Sequence, residues 1–219
     1  MQTDDFLDAV KKDESPRILQ LLDAHPSLAN ARDKDGVSAV FLALYRGNKQ
    51  AAQEIGSRKP DLDVFEAAAL GLSQLKTLVD HDVSLVRSYS PDGFTALALA
   101  SYLGQKESAE YLLDKGADLD ASAKNETGYT ALTGAVSQNH NEVAKLLLKK
   151  GANVNHQYEG GFTPLMHAAF AGNVELVNLL LEKGADPNAR NREGKTPLTF
   201  AREKGHDTVV ELLRKRGAE

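Results

Sequence analysis

Apolar positions recur along this chain at helical spacing, in short paired stretches broken by glycine. The pattern is clearest from Gly161 to Ala189. Thr163 is placed to cap a helix with its hydroxyl, and Pro164 takes the first helical position, where no backbone N–H is needed. Leu165, Ala168 and Ala169 give that helix a small apolar face, and Gly172 is suited to end it in a left-handed cap. A second helix is predicted from Val174, Val177, Leu180 and Leu181, which share one face. Gly184 closes it, and Asp186 to Ala189 leads out as a turn. Two helices this short cannot bury their own apolar faces, so neighbours of the same kind must cover them.

Such neighbours exist. Glycines opening a unit stand at Gly93, Gly128, Gly161 and Gly194, with spacings of 35, 33 and 33 residues. Glycines closing the second helix stand at Gly116, Gly151, Gly184 and Gly217, with the same three spacings. Two independent punctuation marks therefore share one period. That period, with Thr163-Pro164-Leu165-Met166-His167-Ala168, Thr196-Pro197-Leu198 and Gly184-Ala185-Asp186, resembles the ankyrin repeat. Thr95-Ala96-Leu97 and Thr130-Ala131-Leu132 are looser matches. The resemblance is specific from about Asp92 to Ala218 and weaker before it. It implies an all-α solenoid of about seven stacked helix pairs, with β-hairpin-like fingers along one edge and a protein-binding role.

Taken in order, residues 1–33 form an N-terminal cap unit, with helices around Phe6, Leu7 and Val10 and from Ser15-Pro16 to His25-Pro26. Residues 34–63 and 64–89 are degenerate units. In the first of these, a weak helix over about 48–57 is expected to be cut short by Gly56. From Gly47 to Gly71 is only 24 residues, so the third unit is shortened and its finger lost around Ser57 to Asp63. Asp63 and Glu66 offer a capping box instead, and a change of superhelical twist is expected there. Clear units follow at 90–120, 125–155 and 158–188. Residues 191–219 cap the C-terminus, and the whole chain, 1–219, reads as one array in which each unit touches its neighbours.

Composition narrows the function classes. Cysteine is absent, which removes disulfides, thiolate metal sites and thiol nucleophiles. Net charge is −5 with mixed signs, which provides no basic footprint for nucleic acid. Residues 1–33 are net −3 and residues 190–219 net +3, a polarity that suits solvated end caps or the steering of a partner. The first residues lack a secretory pattern, and no apolar run approaches the ~20 residues of a membrane span. The expectation is a soluble, cytoplasmic monomer with no nucleic-acid or membrane partner.

No catalytic set assembles. No pair of the six histidines shows metal-ligand spacing, and no metal or phosphate-loop motif surrounds any of them. Asp33 to Gly36 resembles the start of a calcium loop, but the twelfth position is Leu44, so calcium is not expected. His167 falls at the family's motif histidine, where a hydrogen bond to the adjoining turn is implied. Asn155 and Asn188 occupy places that asparaginyl hydroxylases modify in some ankyrin fingers. No cofactor, metal or catalytic residue is assigned.

Binding residues follow from the resemblance, which places contacts on the fingers, after the opening glycine and on the solvent side of the first helix. The candidates are Arg87, Tyr89, Phe94, Tyr102, Lys124, Tyr129, Tyr158, Phe162, Phe170 and Arg192. Seven of the 13 Phe and Tyr residues belong to this set, and aromatic anchors dominate binding hot spots. This reading requires Phe94, Tyr129 and Phe162 to be presented to a partner rather than turned inward. The function expected is a non-enzymatic interaction module, whether scaffold, adaptor or inhibitor, that binds a protein or peptide. Two other readings remain open: a small-molecule-binding or catalytic protein, and a secreted bacterial effector acting on host proteins.

Overall fold

The computed structural model describes residues 2–219. Among them, fourteen α-helices stand in seven consecutive pairs: α1 (Gln2–Lys11) with α2 (Ser15–Ala24), α3 (Ala39–Tyr45) with α4 (Lys49–Ser57), α5 (Val64–Leu70) with α6 (Gln74–His81), and α7 (Ala96–Tyr102) with α8 (Lys106–Asp114). They continue with α9 (Ala131–Ser137) and α10 (Asn141–Lys149), α11 (Pro164–Ala171) and α12 (Val174–Glu182), then α13 (Pro197–Glu203) and α14 (Asp207–Lys215). The first helices line one side of the stack and the second helices the other.

The first helices start alike. Ser38, Asp63, Thr95, Thr130, Thr163 and Thr196 each accept a hydrogen bond from the backbone N–H three residues on. Asp63 and Glu66 complete the expected capping box, as do the threonine pairs Thr130/Thr133 and Thr196/Thr199. The second helix starts differently from expectation: Glu14, not Ser15, precedes α2 and makes no side-chain cap. Ser15 instead accepts a bond from Asn48 Nδ2 at 2.9 Å. Short 3-10 turns at Pro26–Asn30 and Val83–Arg87 were not anticipated.

The core runs the length of the rod as one apolar cluster from Phe6 to Leu213. α7 packs on α9, α9 on α11 and α11 on α13, with α8, α10, α12 and α14 stacked behind. Fingers join laterally through backbone bonds: Lys124 N–H to Gly93 O at 2.8 Å, Glu159 N–H to Thr127 O at 2.9 Å, and Arg192 N–H to Gly160 O at 2.9 Å. Each finger is reduced to a tight turn; isolated bridges join Arg32 to Ser38, Tyr89 to Thr95 and Tyr158 to Phe162.

The shortened unit departs from this plan. Residues 58–63 carry no bridge and lead directly from α4 into α5, and α4 itself packs on α5. Gly56 does not stop α4, because the helix continues to Ser57. A Cβ there would lie 2.5 Å from Leu70 Cδ1, so the glycine permits the close approach that a lost finger demands.

Candidate binding surface

Three rows of side chains run along the stack on the side of the first helices. One row precedes the caps: Val37, Phe94, Tyr129, Phe162 and Lys195. A second lies four residues after each cap: Leu42, Ala67, Leu99, Gly134, His167 and Phe200. A third lies seven after: Tyr45, Leu70, Tyr102, Ser137, Phe170 and Glu203. The helical repeat puts the last two rows on one face, one turn apart.

Rings from these rows meet. Tyr129 stands edge-on to Tyr158 at 4.9 Å. Phe162 lies 5.3 Å from Phe200, and Phe170 lies 6.3 Å from Phe200. His167 packs against Tyr158 at 5.6 Å and Phe162 at 5.8 Å. These ring contacts replace the hydrogen bond expected of His167, and burial holds its imidazole below the ordinary histidine value. Turn-binding of the kind expected there is performed by other residues. His206 Nε2 donates to Phe170 O at 3.0 Å, and Gln105 Nε2 to Ala69 O at 3.1 Å.

The candidates separate by exposure. Phe170 is 45% exposed and Tyr45 46%, while Arg87, Lys124 and Arg192 are exposed at the fingers and turns. Phe94, Tyr102, Tyr129, Phe162 and Tyr89 are half-buried. Phe94, Tyr129 and Phe162, which the sequence reading needs outside the core, are thus neither buried nor free: they form walls of the surface. Tyr158 is corrected outright. At 8% exposure it is a core ring, because Tyr129, Phe162 and His167 close over it, and its hydroxyl has no hydrogen-bond partner. Arg87 ends a 3-10 turn, where its Nε donates to Gly116 O at 3.4 Å. Lys124 lies over the Tyr89 ring at 4.0 Å, and Lys204 over Phe170 at 4.3 Å.

A pocket of about 190 Å³ opens between α7 and α9, walled by Tyr45, Phe94, Tyr102 and Tyr129. It exists because the second and third rows shrink to Gly134 and Ser137 on α9. A Cβ on Gly134 would sit 3.3 Å from Tyr102 Cβ, so the glycine also lets the two helices approach. The Tyr45 hydroxyl donates to the Asp92 carboxylate from across the shortened unit. Desolvation, then that bond, raise the Tyr45 phenol above its ordinary value. Sequence reading missed Gly134 and Asp92, since neither breaks the repeat pattern in a way that signals a site.

The opposite side is charge-paired. Lys115 meets Asp80, Lys150 meets Asp114 at 2.9 Å, and Arg216 approaches Glu182 at 4.0 Å. Lys145 joins Glu142 and Glu175 at 2.8 and 2.5 Å. These exposed pairs contribute little stability each, but they occupy the back with its own partners.

Two descriptions of the ankyrin-repeat family match the chain, "Ankyrin repeats (3 copies)" over residues 64–158 and "Ankyrin repeats (many copies)" over residues 147–201. The chain belongs to the ankyrin-repeat family. It is similar to the ankyrin repeat and SAM domain-containing protein 6 of Mus musculus, at 41% identity over 103 residues. The Rattus norvegicus protein of the same name is 39% identical over 103 residues. Each match covers 42% of this chain and 11% of the relative, so the chain spans about a tenth of those relatives' length. Ankyrin repeats are in general protein–protein interaction modules and are typically non-enzymatic. Among the described residues, no helix is long and apolar enough to cross a membrane.

Proposed function

We propose that this chain is a non-enzymatic module that binds a protein or peptide in the groove formed by the first helices and fingers of units four to six, acting as a cytoplasmic monomer. The observation that supports it is the aromatic row structure: rings line the inner face while the back is neutralised by its own ion pairs. Phe170 offers open ring surface within the groove, and Tyr45, on α3 of unit two, continues that surface past the shortened unit. Phe94, Tyr102, Tyr129 and Phe162 form the walls, and Arg87, Tyr89, Lys124 and Arg192 the rim. Aromatic burial would supply affinity and the rim charges register.

The test is a paired affinity purification with the wild-type chain and a Tyr45→Ala, Phe170→Ala variant. Both substituted rings are substantially exposed, so the variant is expected to keep its circular dichroism spectrum. A partner recovered by wild type and lost by the variant is the expected result. Equal recovery by both baits would move the binding surface elsewhere.

A further inference from the structure

The pocket between α7 and α9 has a size and a chemistry that together narrow its occupant. At about 190 Å³ it falls below the ~300 Å³ at which ordinary small-molecule sites begin. It is nearer the ~150 Å³ cavity that accepts a single benzene ring. It therefore fits one side chain rather than a cofactor. Its walls are four aromatic rings with Ala98 and Leu99 between them, and Thr127 and Thr130 complete the lining. Asp92 takes the Tyr45 hydroxyl bond. Glu159 donates its backbone N–H to Thr127 O at 2.9 Å, and Thr127 itself lines the pocket. Desolvation, then Tyr102, then Glu159 raise the Tyr129 phenol above its ordinary value.

The wider field has the same sign. Residues 34–155, which make up units two to five, hold 15 acids against 13 bases, and six of those acids lie in residues 90–120. A groove in units two to five thus faces a partner with net negative charge.

We propose that this pocket receives a cationic side chain, arginine or lysine, from a basic peptide segment of a partner protein. The inference rests on the groove-binding reading above. Aromatic faces attract a cation within ~6 Å of the ring centre. A guanidinium also stacks flat on such rings and directs several donors to their rim, where Asp92 holds the Tyr45 hydroxyl. An acidic side chain would meet the Asp92 carboxylate beside Tyr45. A purely apolar one would desolvate that carboxylate without a hydrogen bond in return.

The experiment is a selection of random twelve-residue peptides displayed on phage, against the wild-type chain and against Tyr102→Ala, Tyr45→Ala and Asp92→Asn variants, each verified as folded by circular dichroism. Expected are wild-type-selected peptides sharing an arginine or lysine, with capture reduced on all three variants. In the best of them, replacing arginine by neutral citrulline should weaken binding about 10-fold or more in fluorescence polarisation. Peptides that depend on Tyr102 but carry an apolar or acidic anchor would overturn the cationic occupant and leave groove binding standing. An absence of peptides sensitive to Tyr45 or Tyr102 would overturn both.

Discussion

The Lys59 ammonium lies 2.6 Å from both carboxylate oxygens of Glu66, with the two side chains only 4% and 0% exposed. This ion pair occupies the shortened unit, where six residues replace a finger. Glu66 also accepts the Asp63 N–H at 3.2 Å, so one carboxylate closes the α5 cap and neutralises a buried cation. Removing one member leaves the other charge buried and alone. Lys59→Met is expected to cost about 3–5 kcal/mol in urea unfolding. Adding Glu66→Gln should recover more than half of that loss, since no charge then remains. A cost below about 1 kcal/mol for the single variant would show that water reaches the site.

A ladder of side chains links the turns behind the fingers, and one rung is half-made. Asn155 donates to Gly184 O at 3.0 Å and accepts from Asp186 N–H at 2.9 Å. Asn188 repeats both bonds with Gly217 O and Glu219 N–H. At the equivalent place Asp120 accepts from Asn153 N–H at 2.8 Å but has no donor for the neighbouring carbonyl. Asp120→Asn should raise stability by about 0.5–1 kcal/mol, read as a shift in denaturation midpoint. Asn155→Asp should lower it by a similar amount.

Gly172 and Gly205 share a left-handed backbone, with φ of 69° and 71°. Their surroundings differ. A Cβ on Gly172 would lie 2.7 Å from the His206 ring, while one on Gly205 would meet nothing within 4 Å. Both alanine variants should pay backbone strain of about 1 kcal/mol. Gly172→Ala should cost clearly more, because His206 must leave the carbonyl of Phe170. Equal losses in thermal unfolding would contradict that contact.

Tyr158 carries a buried hydroxyl with no hydrogen-bond partner. Burying such a group costs about 1–3 kcal/mol by protein mutational data. Tyr158→Phe keeps the ring against Tyr129 and His167 and removes the orphan oxygen. It is expected to stabilise the protein by about 1 kcal/mol, visible as a higher Tm.

Burial lowers the His167 imidazole below its ordinary 6.5, so the unfolded chain binds its proton more readily. Its contribution is complete above pH 6.5 and is lost as pH falls from there through the lower folded value. His140 behaves the same way, through desolvation first and then the Lys49 charge. Stability measured between pH 7 and 5 should therefore fall, and His167→Asn should flatten part of that slope. An unchanged slope would place the acid sensitivity elsewhere.

The repeat, its period and its helix caps were legible in the chain because they are local: a threonine bonding three residues ahead and a glycine at positive φ need no knowledge of the rest. The third unit was readable as shortened for the same reason, by counting. The site was legible only as a set of positions. Whether Phe94 or Tyr129 faces out depends on what the adjoining repeat puts beside it, and that is not encoded within one repeat.

The linear pattern thus determined the solenoid, the order of its units, the Asp63–Glu66 cap and the aromatic enrichment of the central groove. Packing between units decided the rest. With contacts inside each unit, it closed Tyr158 into the core, left Phe94, Tyr129 and Phe162 half-buried as walls, laid His167 against the Tyr158 and Phe162 rings of its own unit, and joined Lys59 to Glu66 within a finger-less turn. It also opened a pocket where Gly134 meets Tyr102. Those outcomes belong to tertiary contacts, between neighbouring units, between the turn and first helix of one unit, or across a shortened turn, where the side chain opposite, not the residue's own type, sets burial and partner.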